Sequence, residues 1–247
     1  MSIAPYAKHL IAFAAPIVLA LVMGFAVQRP GVPDFQGYVA GPERKQAFFE
    51  YLLPLVEQRN QEILQTRRRL QSWNRNRHAI GGWDERRIKV LAQRYRVDAF
   101  DIHSDADWQT LLRRVDVVPP SLALVQAANE SAWGTSRFAQ QGYNFFGQWC
   151  FEAGCGLVPS SRDAGKRHEV AVYDSPRGSV ESYIRNLNTH AAYRPLRELR
   201  AQLRAADKAV TGAKLAAGLE RYSERGSEYI SELRAMIRHN ELSQYDL

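Results

Sequence analysis

Residues Ser121–Gly147, SLALVQAANESAWGTSRFAQQGYNFFG, follow a Pro-Pro pair and predict a helix that carries one acidic side chain, Glu130. Ala127, Ala128, Ala132 and Trp133 surround that acid, and Gly134 marks where such a helix stops. Gln126, Glu130 and Trp133 are spaced by four and by three, which puts them on one helical stripe. A carboxyl beside an indole near a helix end is partly desolvated. Desolvation disfavours the charged form and raises the pKa, as a general acid working near neutral pH requires. Glu130 is thus the candidate for protonating a leaving-group oxygen. Spacing alone does not assign that role, because a lone helical glutamate is more often a solvated surface residue or a salt-bridge partner.

The pattern A-x-x-E-S-x-W-G-x-S runs from Ala127 to Ser136, and N-F-F-G follows at Asn144–Gly147. Farther on come Q-W-C to Cys150, G-C-G at Gly154–Gly156, R-H-E-V at Arg167–Val170 and N-L-N-T-H at Asn186–His190. Over roughly Asp101 to Leu247 the chain resembles the glucosaminidase domains of family 73 glycoside hydrolases. The resemblance implies a mostly α chain with a lysozyme-like α+β core and a small β-lobe. It also implies cleavage of peptidoglycan glycan strands after N-acetylglucosamine, with Glu130 as the acid and no cofactor. The N-x-F-G segment is expected on the floor beside the catalytic helix. Tyr222, in Y-S-E-R-G, matches a cleft tyrosine that supports the sugar or its acetamido group.

Glycoside hydrolysis also needs something to stabilise the sugar cation. That is a second carboxylate about 5–5.5 Å from the acid in retaining enzymes, about 6.5–9.5 Å in inverting ones, or the substrate's own acetamido group. Glu152, Asp163, Glu169 and Asp174 are available. Glu169 is preferred, because it lies on the predicted lobe opposite the helix; pairing with Arg167 on a strand surface is the competing account. Aromatic rings stack on sugar faces, so Trp149 and Tyr173 are expected in the cleft wall, whereas Trp133 and Phe146 are expected in the core. Gln126 and Asn144 complete the candidate substrate contacts, although an asparagine there more often fixes a turn. His190 is better explained by a structural hydrogen bond than as a base. No G-x-S-x-G and no G-x-x-x-x-G-K-S/T occurs, which leaves nucleophile-elbow and phosphate-loop chemistry without support.

The 247 residues are 45% hydrophobic and 24% charged, the balance of a globular protein. Leu10–Val27 carries no charge and is long enough to span a bilayer. An uncleaved signal anchor is favoured over a signal peptide cut near Ala26, and either exports the remainder. The expected organisation is therefore an anchor over 1–29, a Pro/Gly-rich linker over 30–42, a basic helical arm over 43–100 and the glucosaminidase domain over 101–247. The expected location is the inner membrane with the domain in the periplasm, or fully exported after cleavage. Cys150 and Cys155, an adjacent pair beyond an export segment, are expected to form a disulfide. A metal would need ligands beyond His168.

The net charge of +7 is concentrated between Arg59 and Arg96, where eleven Lys or Arg face three acids. Export argues against nucleic acid as the partner of that run. A polyanionic wall polymer, anionic lipid headgroups or a merely solvated helix face remain open. Helices are expected over 43–73, kinked or restarted at Pro54, then 83–97, 105–115, 136–140, 179–193, 195–206, 213–222 and 227–240. A hairpin strand is expected over 168–173. Two rival functions fit the same chain: a lytic transglycosylase cutting after N-acetylmuramic acid, and a membrane-tethered wall-binding scaffold without turnover.

Overall fold

Glu43 in the first turn and a proline at the first helical position start a helix, α1 (Pro42–Arg75), that runs through Pro54 without a restart. Pro54 is exposed, so the carbonyl it cannot bond faces solvent. In the computed structural model, residues 31–160, 162, 165 and 167–246 are described. The apolar run Leu10–Val27 and Asp163 lie outside them. Among the described residues no helix is long and apolar enough to cross a membrane.

After α1 come α2 (Gly82–Arg94), α3 (Asp105–Arg114), α4 (Pro120–Glu130) and α5 (Arg137–Gly142). Three short strands follow, β1 (Trp149–Cys150), β2 (Gly156–Leu157) and β3 (Glu169–Ala171), and then α6 (Pro176–Thr189), α7 (Arg194–Ala205), α8 (Gly212–Leu215) and α9 (Ser227–His239). The chain is mostly helical with one small sheet. Its order is β1-β3-β2, with both outer strands antiparallel to β3. The expected hairpin strand is thus the centre of the sheet, and its partners are two-residue strands that periodicity cannot detect.

The organising helix α4 is buried from Pro120 to Ala128. A helix apolar all round has no solvent face, and α1, α8 and α9 pack against it. Each fully buried leucine or valine there is worth about 1.5–3 kcal/mol. The helix ends at Glu130, four residues before Gly134. Ala132 and Trp133 take positive φ, at 50° and 60°, and turn the chain away. Trp133 therefore leaves the Gln126–Glu130 stripe. It packs edge-on against Phe48 and Phe49 of α1, with Lys45 over its ring.

Residues Val32–Leu247 form one compact unit. The 43–100 segment is not a separate arm, because α1 buries Phe48, Phe49, Leu52, Val56, Ile63 and Leu70 in the same core as α4. Nor is its charge all surface charge. Arg67 donates to the carbonyls of Leu112 and Val115 and faces Asp116 at 3.5 Å. Asp116 is 2% exposed and receives Arg204 in a two-pronged contact, Nε at 2.6 Å and Nη2 at 2.7 Å. Arg200 Nε stands 3.6 Å from the same carboxylate, and its guanidinium also donates to the Val117 and Arg113 carbonyls and to Asn188. Burial pushes the Arg200 pKa down to about 10, and the arginines hold Asp116 below the usual carboxylate range although burial opposes them. This cluster ties α1, α3 and α7 to the loop that feeds α4.

Candidate active site

Glu130 ends α4, half-buried, at a cavity of about 560 Å³. The wall is assembled from distant segments: Phe146–Trp149, Phe151, the α6 face carrying Ser182, Arg185, Asn186 and Thr189, then Tyr193 and Tyr222, with Arg96 from beyond α2. Glu130 is the one acidic side chain among these lining residues.

A chain of hydrogen bonds fixes the acid. The Tyr183 hydroxyl donates to Gln126 Oε1 at 2.6 Å, Gln126 Nε2 donates to the Tyr229 hydroxyl at 3.1 Å, and that hydroxyl donates to Glu130 Oε1 at 3.1 Å. Every donor points the same way, so the bonds polarise one another toward the carboxyl. Burial raises the Glu130 pKa above the ordinary glutamate value, the Tyr229 bond lowers it in part, and the charge of Glu232 adds to the rise. The net direction is upward, as the sequence predicts, while the Trp133 indole packs on Phe48 and Phe49 of α1.

The N-F-F-G segment lies against this acid. Gly147 has φ +62°, and a Cβ there would sit 3.2 Å from Glu130 Oε2. Both the backbone conformation and the space call for glycine. Gly147→Ala is expected to displace the carboxyl and lower kcat about tenfold to a hundredfold with little change in KM, as measured by steady-state hydrolysis. Unchanged kcat would separate the turn from the chemistry.

The candidate residues divide by burial. Trp149 is 58% exposed, lines the cavity and stacks on His168 at 4.3 Å. Tyr222 also lines it; its hydroxyl donates to the Phe146 carbonyl and its ring stacks on Tyr229. Tyr173 does not line it. Its hydroxyl is spent between Gln148 Oε1 and Ser182 Oγ, behind the wall. Gln126 is fully buried and cannot meet a sugar; it positions Tyr229 instead. Asn144, 1% exposed, braces the turn. Its Nδ2 donates to the carbonyls of Gln148 and Ala171, and its Oδ1 accepts the Phe146 and Gln148 amides. Phe146 is core, stacked flat on Tyr183 at 3.9 Å.

Glu169 is not among the residues that line the Glu130 cavity. Its carboxylate accepts the Gly154 amide at 3.1 Å and the Gly156 amide at 2.8 Å, and these bonds hold its pKa below the ordinary value. It fastens the loop closed by the Cys150–Cys155 disulfide. That loop carries Phe151, 73% exposed, at the cavity wall. His190 lines the cavity and accepts the Ala192 amide at Nδ1. Sequence reasoning missed Tyr229, 99 residues beyond Glu130, and Tyr193; neither has a local signal. It also read Arg96 only as part of a charge run.

A family model described as Glucosaminidase, mannosyl-glycoprotein endo-beta-N-acetylglucosaminidase, matches residues 105–242. The chain is 36% identical over 213 residues to Protein bax of Escherichia coli strain K12, covering 85% of this chain and 74% of that protein. It is also similar to the crystal structure of the catalytic domain of the autolysin Auto from Listeria monocytogenes. That likeness has 18% identity, coverage of 85% of this chain and 92% of that one, and a TM-score of 0.42.

Proposed function

The chain belongs to the glucosaminidase family of glycoside hydrolases, and from that membership we propose that it cleaves peptidoglycan glycan strands after N-acetylglucosamine, with Glu130 as general acid in a lysozyme-like core. The observation that carries the reading is the half-buried Glu130 at the end of α4, the one acid among the described residues lining its cavity, its pKa raised, facing walls that include Trp149, Phe151, Tyr193 and Tyr222.

Among the described residues Glu130 is the one carboxylate that lines the cavity, which supports giving the second catalytic function to the substrate. The acetamido oxygen of the N-acetylglucosamine attacks C1 as the C1–O bond breaks, and Glu130 gives its proton to the departing oxygen. Water then adds to C1 of the resulting oxazolinium and opens the ring, and the Glu130 carboxylate takes the proton released. The configuration at C1 is retained. Tyr222 and Gly147, held close to the acid, shape the space for the acetamido group. Glu169 has no part in these steps, since its oxygens are occupied by the Cys150–Cys155 loop.

The acid step needs protonated Glu130, so activity falls as pH rises through its raised pKa. Tyr229→Phe removes the donor that favours the carboxylate. The alkaline limb of the kcat profile is expected to move to higher pH, and kcat at the optimum to fall about threefold to tenfold through lost positioning. A limb that stays in place, or moves down, would detach Tyr229 from the acid.

The reading is tested by digesting purified peptidoglycan with the soluble part of the chain from about residue 32 on, reducing the products with borohydride and reading their ends by mass spectrometry. Reduced N-acetylglucosamine ends are expected. Anhydro-muramic ends would make the protein a lytic transglycosylase, and wall binding without release would make it a scaffold.

A further inference from the structure

Resting on the glycan reading above, we propose that Arg96 and Arg185 form a carboxylate-recognising subsite in the Glu130 cavity, which selects glycan strands bearing acidic substituents over neutral N-acetylglucosamine polymers. Both arginines line the same cavity as the acid. Neither makes an ion pair or a side-chain hydrogen bond with any of the described residues, although other arginines in the chain are heavily engaged. On α6, Arg177 takes the Glu181 carboxylate at 2.8 Å, which leaves Arg185, one turn on, without that partner.

The Arg96 segment is built. α2 ends at Arg94, Tyr95 is buried, and Arg96 takes φ 57°, a conformation uncommon for a non-glycine residue. The Arg114 guanidinium holds the turn by donating to the carbonyls of both Tyr95 and Arg96. A left-handed residue pinned by a second arginine places its side chain with purpose more than a frayed helix end does. On the facing element, Ser182, Arg185, Asn186 and Thr189 recur at helical spacing and give the cavity a polar stripe with one charge in it.

The charges match an anion that is not the acid. Glu130's proton affinity is set by burial, Tyr229 and Glu232, with no arginine among its causes. Guanidinium groups bind carboxylates in a planar, two-pronged fashion, and both of these are exposed at the cavity, where a strand can reach them. A chitin-type strand offers no carboxylate. A peptidoglycan strand offers one on each lactyl group when the peptide is absent, and others on the peptide when it is present. Arg96 lies N-terminal to the residues 105–242 that match the family model, so this selectivity belongs to an element outside the matched region.

The test compares kcat/KM of the chain from about residue 32 on peptide-free glycan strands, peptide-bearing strands and chitohexaose. The ratio of either acidic substrate to chitohexaose is expected to fall about tenfold in Arg96→Gln and in Arg185→Gln, mostly through KM, and to recover in part in Arg185→Lys. A fall confined to the peptide-free strands assigns the lactyl carboxylate, and one confined to the peptide-bearing strands assigns the peptide. Ratios unchanged in both variants would overturn the subsite. If no substrate is cleaved, the function proposed above fails, and the subsite is judged by calorimetry. Wild-type protein should then bind N-acetylglucosaminyl-N-acetylmuramic acid or its peptide more tightly than chitotetraose, and Arg96→Gln should not. Equal affinity for all three probes would overturn it.

Discussion

Glu130→Gln lowers kcat on glycan strands by about a thousandfold, within the range of 10²–10⁴ for loss of a positioned proton donor, and leaves KM within about threefold of wild type. The amide matches the carboxyl in shape and can still accept the Tyr229 hydroxyl at its oxygen, so the fold and the cavity stay as they are. What disappears is the ability to release a proton to the departing oxygen and to take one back from water. Unchanged melting temperature with lost turnover identifies a chemical role. Activity within tenfold of wild type would remove Glu130 from the mechanism and with it the proposed reaction.

Asp116→Asn is expected to destabilise the fold by about 3–5 kcal/mol, because it strands Arg200 in the interior and loosens Arg67 and Arg204. The same carboxylate supplies a pH dependence. Its folded pKa is depressed below the unfolded value of about 4, so its contribution is complete above that value and is lost as pH falls through the folded one. Urea titrations from pH 7 to pH 3 should show the difference between wild type and Asp116→Asn narrowing at the acid end. A variant within 1 kcal/mol of wild type at pH 7 would mean that the arginines find other partners.

Helix spacing was enough to find α4 and to place Gln126 and Glu130 on one face of it. It could not find where the helix stops, because the break comes from Ala132 and Trp133 taking positive φ, a conformation neither residue type announces. One misplaced end moved Trp133 from the acid's side to α1. Motif resemblance pointed to Gly147 and Tyr222, which line the cavity, yet could not say that Glu169 is bonded to two backbone amides outside that lining, because alternation along a strand carries no information about a loop folding back over it. Tyr229 and Arg96 were out of reach for another reason. Their importance depends on which turn of which helix docks beside α4, a long-range property with no local pattern. Surface charge was overcounted for the same cause: Arg67 belongs to a run that looks solvated in sequence, and it is anchored under Asp116 in the fold.

The wire from Tyr183 through Gln126 and Tyr229 to Glu130 crosses α6, α4 and α9. A molecule in which α4 has formed but α6 and α9 have not docked holds Glu130 as an ordinary hydrated carboxylate, ionised at neutral pH and poor at giving up a proton. On the proposed mechanism, catalytic competence therefore requires the docking of all three helices, and a chain that lacks any one of them is expected to be inactive.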